Sequence, residues 1–234
     1  ASPEINAMQG IYTAAEPGTD LFTAYQNDYY HFYYSRISRA DTMIASTFCF
    51  AIRRERFLAH GGFDESVSEP TVEDEEFGYR LAGQGCLVRL NKQLAVTHLA
   101  HYDAVSFTHR KIRMTRSQMS AMCRRKLDKL VTSVTNLCPG MTHHHLPVLL
   151  SLPLTPLLLL SVLLLPFGPP PALLAFVLSA AAFTAVNVDF WAFFIRRHGV
   201  SRLPALVLVT IYDRVLILVG FTLGLAEFCR RGKR

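Results

Sequence analysis

Three long apolar stretches constrain this chain more than anything else in it. They are Leu146 to Phe167 (LPVLLSLPLTPLLLLSVLLLPF), Ala172 to Ile195 (ALLAFVLSAAAFTAVNVDFWAFFI) and Leu203 to Ala226 (LPALVLVTIYDRVLILVGFTLGLA). Each exceeds the roughly 20 residues that a helix needs to cross a hydrocarbon core. A chain that is 50% hydrophobic, with a mean hydropathy of +0.22, is too apolar for an ordinary soluble domain. The first two stretches are joined by the uncharged turn GPPP, so they read as a hairpin. Pro153 and Pro156 should kink the first helix, which membrane helices tolerate because neighbouring groups re-satisfy the freed backbone.

Charge divides the chain into three parts. Residues 1–105 hold 8 Lys/Arg against 14 Asp/Glu, a net of −6. Residues 109–130 hold 8 basic residues and one acid, a net of +7. Residues 131–234 hold 8 basic and 3 acidic residues, a net of +5. A basic bridge beside apolar segments points to anionic membrane lipids as a partner. No interleaving of basic and aromatic residues suggests nucleic acid. Within the bridge, Ile112, Met119, Cys123, Leu127 and Leu130 recur at helical spacing with bases around them, the pattern of an amphipathic helix lying on a leaflet. The alternative is a helix packed on the front domain. The five cysteines, Cys49, Cys86, Cys123, Cys138 and Cys229, are odd in number and form no CxxC, which suits a reducing compartment.

The third apolar stretch is the unusual one. Asp213 and Arg214 sit near its middle, where charges are expensive. Adjacent helix residues do not face each other, so they are not an obvious pair. Each should meet another helix, or the segment lies partly in the interface. Gly220 and Gly224 form a GxxxG, a small-residue face for close packing. The basic bridge and RRHGVSR (Arg196 to Arg202) are two spans apart, and both can be cytoplasmic. The tail RRGKR then conflicts with a third full crossing. Either the third segment re-enters, or the tail breaks the rule.

The front part alternates short strands and helices, an α/β pattern. Ala45 to Ile52 reads as a strand, Arg54 to Ala59 as a helix, and Cys86 to His98 as two strands with a turn near Asn91. The stretch TVEDEEFGYRLAGQG opens a helix. Thr71 with Asp74 fits a capping box, and acids in a first turn are favoured by the helix dipole. On that reading Phe77 and Leu81 are buried, and Glu75 and Glu76 are solvated. The run His143 to His145 reads as a surface cluster.

The segment RRERFLAHGGFDESVSEPTVEDEEFGYRLAGQGCLVRLNKQLAVTHLAHY resembles the second half of the catalytic domain of family 2 glycosyltransferases. The matching pieces come in order: Arg53, Arg54 and Phe57; Gly61 to Glu65; Glu73 and Asp74; Arg80 and Leu81; Gly85; Val96 and His98. VNVDFWAFFIRRHG and YDRVLILVGFTLG look like the membrane part of bacterial members. The resemblance implies the carboxyl-terminal half of a GT-A (nucleotide-diphospho-sugar transferase-like) domain over residues 1–105. A basic amphipathic interface helix and linker over 106–145 and a membrane region of about three transmembrane helices over 146–229 complete the expected architecture.

It further implies a membrane-anchored inverting glycosyltransferase of the bacterial inner membrane, with its catalytic part on the cytoplasmic side. Such an enzyme moves a sugar from a nucleotide-sugar donor to a lipid-linked or glycan acceptor. Inversion requires a base on the face opposite the leaving diphosphate. The resemblance assigns that role to Asp74, with Glu73 beside it. Gly61, Gly62 and Asp64 would shape the acceptor side, and His98 would lie near a metal or the diphosphate. Members of the family use Mg²⁺ or Mn²⁺ held by a D-x-D, and none precedes Asp74. The chain is therefore expected to be a fragment lacking the donor-binding half, inactive alone. One alternative is a non-catalytic membrane subunit or one piece of a split enzyme. Another, a small transporter using Asp189, Asp213 and Arg214, would leave the ordered front motifs unexplained.

Overall fold

A computed structural model describes residues 5–38, 40–65, 72–124, 145–168 and 170–231. The front part is mixed α/β. Strand β1 (Ala7–Tyr12) leads through helix α1 (Leu21–Ser35) to β2 (Asp41–Thr42), a 3-10 turn (Thr47–Cys49) and β3 (Phe50–Ile52). Helix α2 (Arg54–Ala59), helix α3 (Glu73–Gly83) and strand β4 (Val88–Val96) follow. The four strands form one sheet in the order β2-β4-β1-β3, with β1 parallel to β4 and the other pairs antiparallel.

Two expectations change here. The strand foreseen from Ala45 to Ile52 is confined to Phe50–Ile52, because the chain tightens into the 3-10 turn just before it. Cys86 to His98 yields one strand rather than two. Gln9 pairs with Leu90 and Ile11 with Ala95, so two steps along β1 span five along β4. The turn near Asn91 is an excursion within that strand, held by the Gln93 N–H on Asn91 Oδ1 at 3.0 Å.

Behind the sheet lies the amphipathic helix α4 (Ala104–Arg124). Helix α5 (Leu146–Leu164) and helix α6 (Pro170–His198) form the expected hairpin, and helix α7 (Leu203–Arg231) ends the described chain. Pro153 and Pro156 lie inside α5. Three helices in this region are long and apolar enough to cross a membrane.

The largest apolar core joins the front part to the three long apolar helices. Tyr25, Phe32 and Tyr33 of α1 pack with Phe190 and Phe194 of α6 and Leu206 and Val209 of α7. Tyr25 and Phe32 each meet Phe190 at ring-centroid distances of 5.5 Å. The end of α6 and the loop after it are tied to the same surface. Arg197 donates to Ala15 O at 2.8 Å, Arg202 donates to Thr19 O at 2.7 Å, and His198 Nε2 lies 2.8 Å from Asp28 Oδ2.

Helix α4 runs parallel to α7 and does not lie alone on a leaflet. Tyr212 and Thr108 share a hydroxyl hydrogen bond of 2.6 Å, Lys111 pairs with Asp213 at 2.8 Å, and Arg116 pairs with Glu227 at 2.8 Å. The GxxxG makes this close approach possible. A Cβ on Gly220 would strike the Thr115 hydroxyl, and one on Gly224 would sit 2.9 Å from Met119 Cβ. Ile112 packs on the main core, while Leu127 and Leu130 of the foreseen stripe lie outside the described residues.

Asp213 and Arg214 do meet other helices, as expected. Asp213 reaches Lys111 on α4 and accepts from Tyr25 on α1 at 3.4 Å, and Arg214 Nε donates to Ser151 Oγ on α5 at 2.7 Å. They also pair with each other, Arg214 Nη1 donating to Asp213 Oδ2. This departs from the expectation for helix neighbours. Both side chains are buried by surrounding helices, so each folds back along the helix surface.

Candidate active site

Helix α3 begins at Glu73, and its first turn holds Glu73, Asp74, Glu75 and Glu76. The helix N-cap is Val72, which supplies no side-chain cap bond. Thr71, foreseen as the cap, lies outside the described residues. With four free N–H groups and the positive end of the dipole to satisfy, a first turn of acids is electrostatically favoured. Phe77 and Leu81 are fully buried on the sheet side, as their spacing predicts.

Gly78 fixes what faces Asp74. A Cβ there would collide with Met43 O and stand 3.2 Å from Ala45 Cβ, so the segment entering the 3-10 turn lies directly on α3. One helical turn before Gly78, that contact delivers Thr47 to Asp74. The Thr47 backbone N–H and hydroxyl both donate to Asp74 Oδ2, at 3.0 and 3.2 Å. The Glu75 N–H donates to Oδ1 at 2.7 Å. A carboxylate offers about four acceptor sites, so these three bonds orient the group and leave a direction on Oδ1 for a further donor.

Asp74 and Glu73 line a cavity of about 300 Å³ between the front domain and the helices behind it. Its walls differ in character. Glu73, Asp74 and Glu75 share the lining with Arg110, Lys111 and Arg113 of α4. Tyr12, Tyr29, Tyr30 and Tyr34 form an aromatic side. Burial pushes the phenols of Tyr12 and Tyr30 upward, so both are neutral hydrogen-bonding groups. The apolar part of the lining comes from the long helices: Val148, Leu149 and Leu152 of α5 with Ile217 and Phe221 of α7.

Two sequence expectations fail at this cavity. Glu75 is buried, because α4 covers it and Gln118 Nε2 donates to its Oε2 at 2.9 Å. Glu76 is half-buried and pairs with Arg80 at 3.0 Å. His145 is buried as well, stacked on Tyr33 with ring centroids 4.4 Å apart, rather than part of a surface cluster. His143 and His144 lie outside the described residues.

The remaining expected site residues stand apart from the cavity. Gly61 and Gly62 take left-handed φ of 77° and 64° in the turn after α2. Arg80 clamps that turn, donating to His60 O and Gly62 O at 2.6 Å each. Asp64 is exposed beyond it. His98 is half-buried between Tyr12 and Tyr102, and its Nδ1 lies 3.1 Å from Asn27 Oδ1. Desolvation and then the nearby Arg110 charge lower its pKa, so the neutral ring is favoured. Among the described residues no group of three or more His, Cys, Asp or Glu side chains could hold a metal ion. The described residues alone do not make a divalent-cation site. Thr47, Gln118 and Arg110 were not foreseen. Their places depend on tertiary contacts that leave no local pattern.

No curated protein and no solved structure matches the chain. The sequence profile described as Glycosyl transferase family 21 matches residues 39–219, from just before β2 to within α7 and thus across α3, most of the cavity lining and most of the long apolar helices. The match spans well over half of the sequence, and on it the chain belongs to Glycosyl transferase family 21.

Proposed function

We propose that this chain is the acceptor side of an inverting glycosyltransferase of GT-A type that works at a membrane surface on a lipid-linked acceptor. One observation carries the reading. The cavity that holds the oriented Asp74 carboxylate is also lined by apolar side chains of α5 and α7. An acceptor anchored in the bilayer could set its apolar portion on Leu149, Leu152 and Phe221 and bring its hydroxyl to Asp74.

In this reading Asp74 Oδ1 takes the hydroxyl proton as the acceptor oxygen forms its bond to the anomeric carbon. The bond from that carbon to the diphosphate breaks, and its electron pair leaves with the diphosphate. Thr47 and the Glu75 N–H hold the base, and Glu73 is its neighbour at the helix start. Arg110 and Arg113 of α4 place positive charge beside these acids, and Lys111 is held by Asp213. Gly61, Gly62 and Asp64 support this reading only indirectly, as the braced turn behind α3. Donor binding belongs to elements with a D-x-D pattern, which this sequence lacks before Asp74.

The test is Asp74→Asn in the complete enzyme, reconstituted in lipid vesicles with a labelled nucleotide sugar and membrane lipid extract. Transfer should fall by about 10²–10⁴-fold, the usual contribution of a general base. Donor binding should stay near normal. Undiminished transfer by the variant would overturn the assignment.

A further inference from the structure

We infer that α7 does not cross the membrane. The structure assigns it to the bilayer interface, lying in the membrane plane with α4, so that the α5–α6 hairpin supplies the only two crossings among the described residues.

The first observation is the partner of α7. From Thr108 to Ser120, α4 rises in step with α7 from Tyr212 to Gly224, through the Thr108–Tyr212 and Lys111–Asp213 pairs and the Ser120 hydroxyl, which donates to Gly224 O at 3.3 Å. The two helices are parallel and in backbone contact at Gly220 and Gly224. Wherever α7 goes across this span, α4 goes too. That part of α4 carries Arg110, Lys111, Arg113 and Arg116, and Arg113 and Arg116 are exposed. Lys111 and Arg116 are paired with Asp213 and Glu227 of α7, yet a crossing would still carry the exposed Arg113 and the exposed side of Arg116 into the hydrocarbon core, where charge is costly.

The second observation is depth. A crossing α7 would descend along α5 by about 1.5 Å per residue. Instead Arg214 meets Ser151, and Ile217 and Phe221 share the cavity wall with Val148, Leu149 and Leu152. Across seven residues of α7, the partner remains within the first two turns of α5. The same cavity contains Asp74 and Thr47 of the front domain. Deeper along α5, Ser161 lies near Ser179 of α6, at 3.4 Å. Helix α7 therefore passes beneath the front domain and across the top of the hairpin.

The third observation is the face left uncovered. Leu208, Tyr212, Val219 and Leu223 lie on one side of α7, at spacings of four, seven and four, and are 68, 37, 40 and 46% exposed. The side turned away from this stripe is buried at Asp213, Arg214 and Ile217, and past Leu223 the helix is also exposed at Leu225 and Phe228. An apolar stripe below and cationic α4 beside it are the two halves of an interfacial platform. Its partner is the acyl boundary of a leaflet, continuous with the exposed apolar faces of α5 and α6. Cys229 and Arg230 then stand on the same side of the membrane as Arg196 to Arg202, and the basic tail agrees with the rule that bases stay inside.

The test is made on the complete protein in oriented membrane vesicles, using single-cysteine variants. Cys229 is kept and the other cysteines are replaced by Ser or Ala. Ser201→Cys marks the loop after α6, and Phe167→Cys marks the hairpin turn. A membrane-impermeant maleimide should modify Cys229 and the Ser201→Cys thiol in one vesicle orientation, and the Phe167→Cys thiol in the other. Modification of Cys229 together with Phe167→Cys overturns the inference. A second measurement is independent of sidedness. Spin labels on Leu208→Cys and Leu223→Cys should lie at equal bilayer depth, whereas a crossing helix would separate them by about 22 Å. Neither readout depends on transfer activity, so failure here leaves the reading of Asp74 intact, and failure there leaves this one intact.

Discussion

Thr47 grips Asp74 twice, with its backbone N–H at 3.0 Å and its hydroxyl at 3.2 Å on the same carboxylate oxygen. The backbone donor survives any substitution, and the hydroxyl does not. Thr47→Val keeps the side-chain shape and removes one hydrogen bond to a charged group, a loss of about 1–2 kcal/mol in an exposed setting. If Asp74 is the base as proposed, kcat for sugar transfer should fall roughly tenfold, since 1.4 kcal/mol corresponds to that factor, with KM little changed. Thr47→Ser should restore most of the rate. A rise in KM at constant kcat would mean that Thr47 binds substrate and does not position the base.

How much of this was legible in the sequence depends on whether the local pattern or a distant partner decided each feature. Apolar length announced α5, α6 and α7, and the bounds of α2 matched the expected Arg54 to Ala59. Helix α3 was marked by its acids and by Phe77 and Leu81. Helix α1 was not foreseen, because it is buried on more than one side. Its sequence, LFTAYQNDYYHFYYS, spreads aromatic residues over more than half of the circumference with Thr23 and Gln26 among them, so no narrow apolar stripe stands out. Asp74 was visible through its motif. Glu75 looked like a solvated neighbour until α4 placed Gln118 on it, and no spacing within α3 could have told the two acids apart. The third apolar stretch was legible as a helix. Its setting was not, because composition does not record that α4 lies alongside.

Arg80 braces the Gly61–Gly62 turn and links it to α3. It donates to two backbone carbonyls and to Glu76, and its guanidinium lies 5.3 Å from the Phe77 ring centroid. A planar fork is required to reach three acceptors at once. Arg80→Ala should destabilise the fold by about 2–4 kcal/mol. Arg80→Lys should recover less than half of that, because an ammonium cannot span both carbonyls. Thermal unfolding in detergent reads the effect, and full recovery by Lys would show that charge alone matters.

His98 supplies a pH prediction. Its folded pKa lies below the ordinary 6.5, first because the ring is partly desolvated and second because Arg110 repels its protonated form. Between the folded value and 6.5, the unfolded chain binds a proton that the folded chain does not. Stability contributed by this group is therefore complete above about pH 6.5 and is lost as pH falls through the folded pKa. A histidine NMR titration should place the His98 midpoint below 6.5. Arg110→Gln should move it upward but not fully to 6.5, since desolvation is the larger cause. A midpoint unmoved by Arg110→Gln would remove the electrostatic part of this account.

The Asp213–Arg214 pair is the point at which four helices meet. Asp213 holds Lys111 of α4 and Tyr25 of α1, and Arg214 holds Ser151 of α5. Both side chains are buried, with 1% or less of their surface exposed. A buried ion pair need not add net stability, but removing one partner leaves the other charge desolvated and unmatched. Asp213→Asn should therefore cost about 3–5 kcal/mol, stranding both Arg214 and Lys111. Arg214→Gln should be milder, because Lys111 still answers Asp213. If the pair acts as a unit, Asp213→Asn combined with Arg214→Gln will be more stable than the sum of the single losses predicts. The coupling should be about 2–3 kcal/mol, at the upper end for residues in direct contact. Adding Lys111→Met to Asp213→Asn should likewise recover stability, since it removes the second stranded cation. Denaturation of all variants in one detergent measures the cycle. Simple additivity would show that the two charges are satisfied separately, each by its own neighbouring helix.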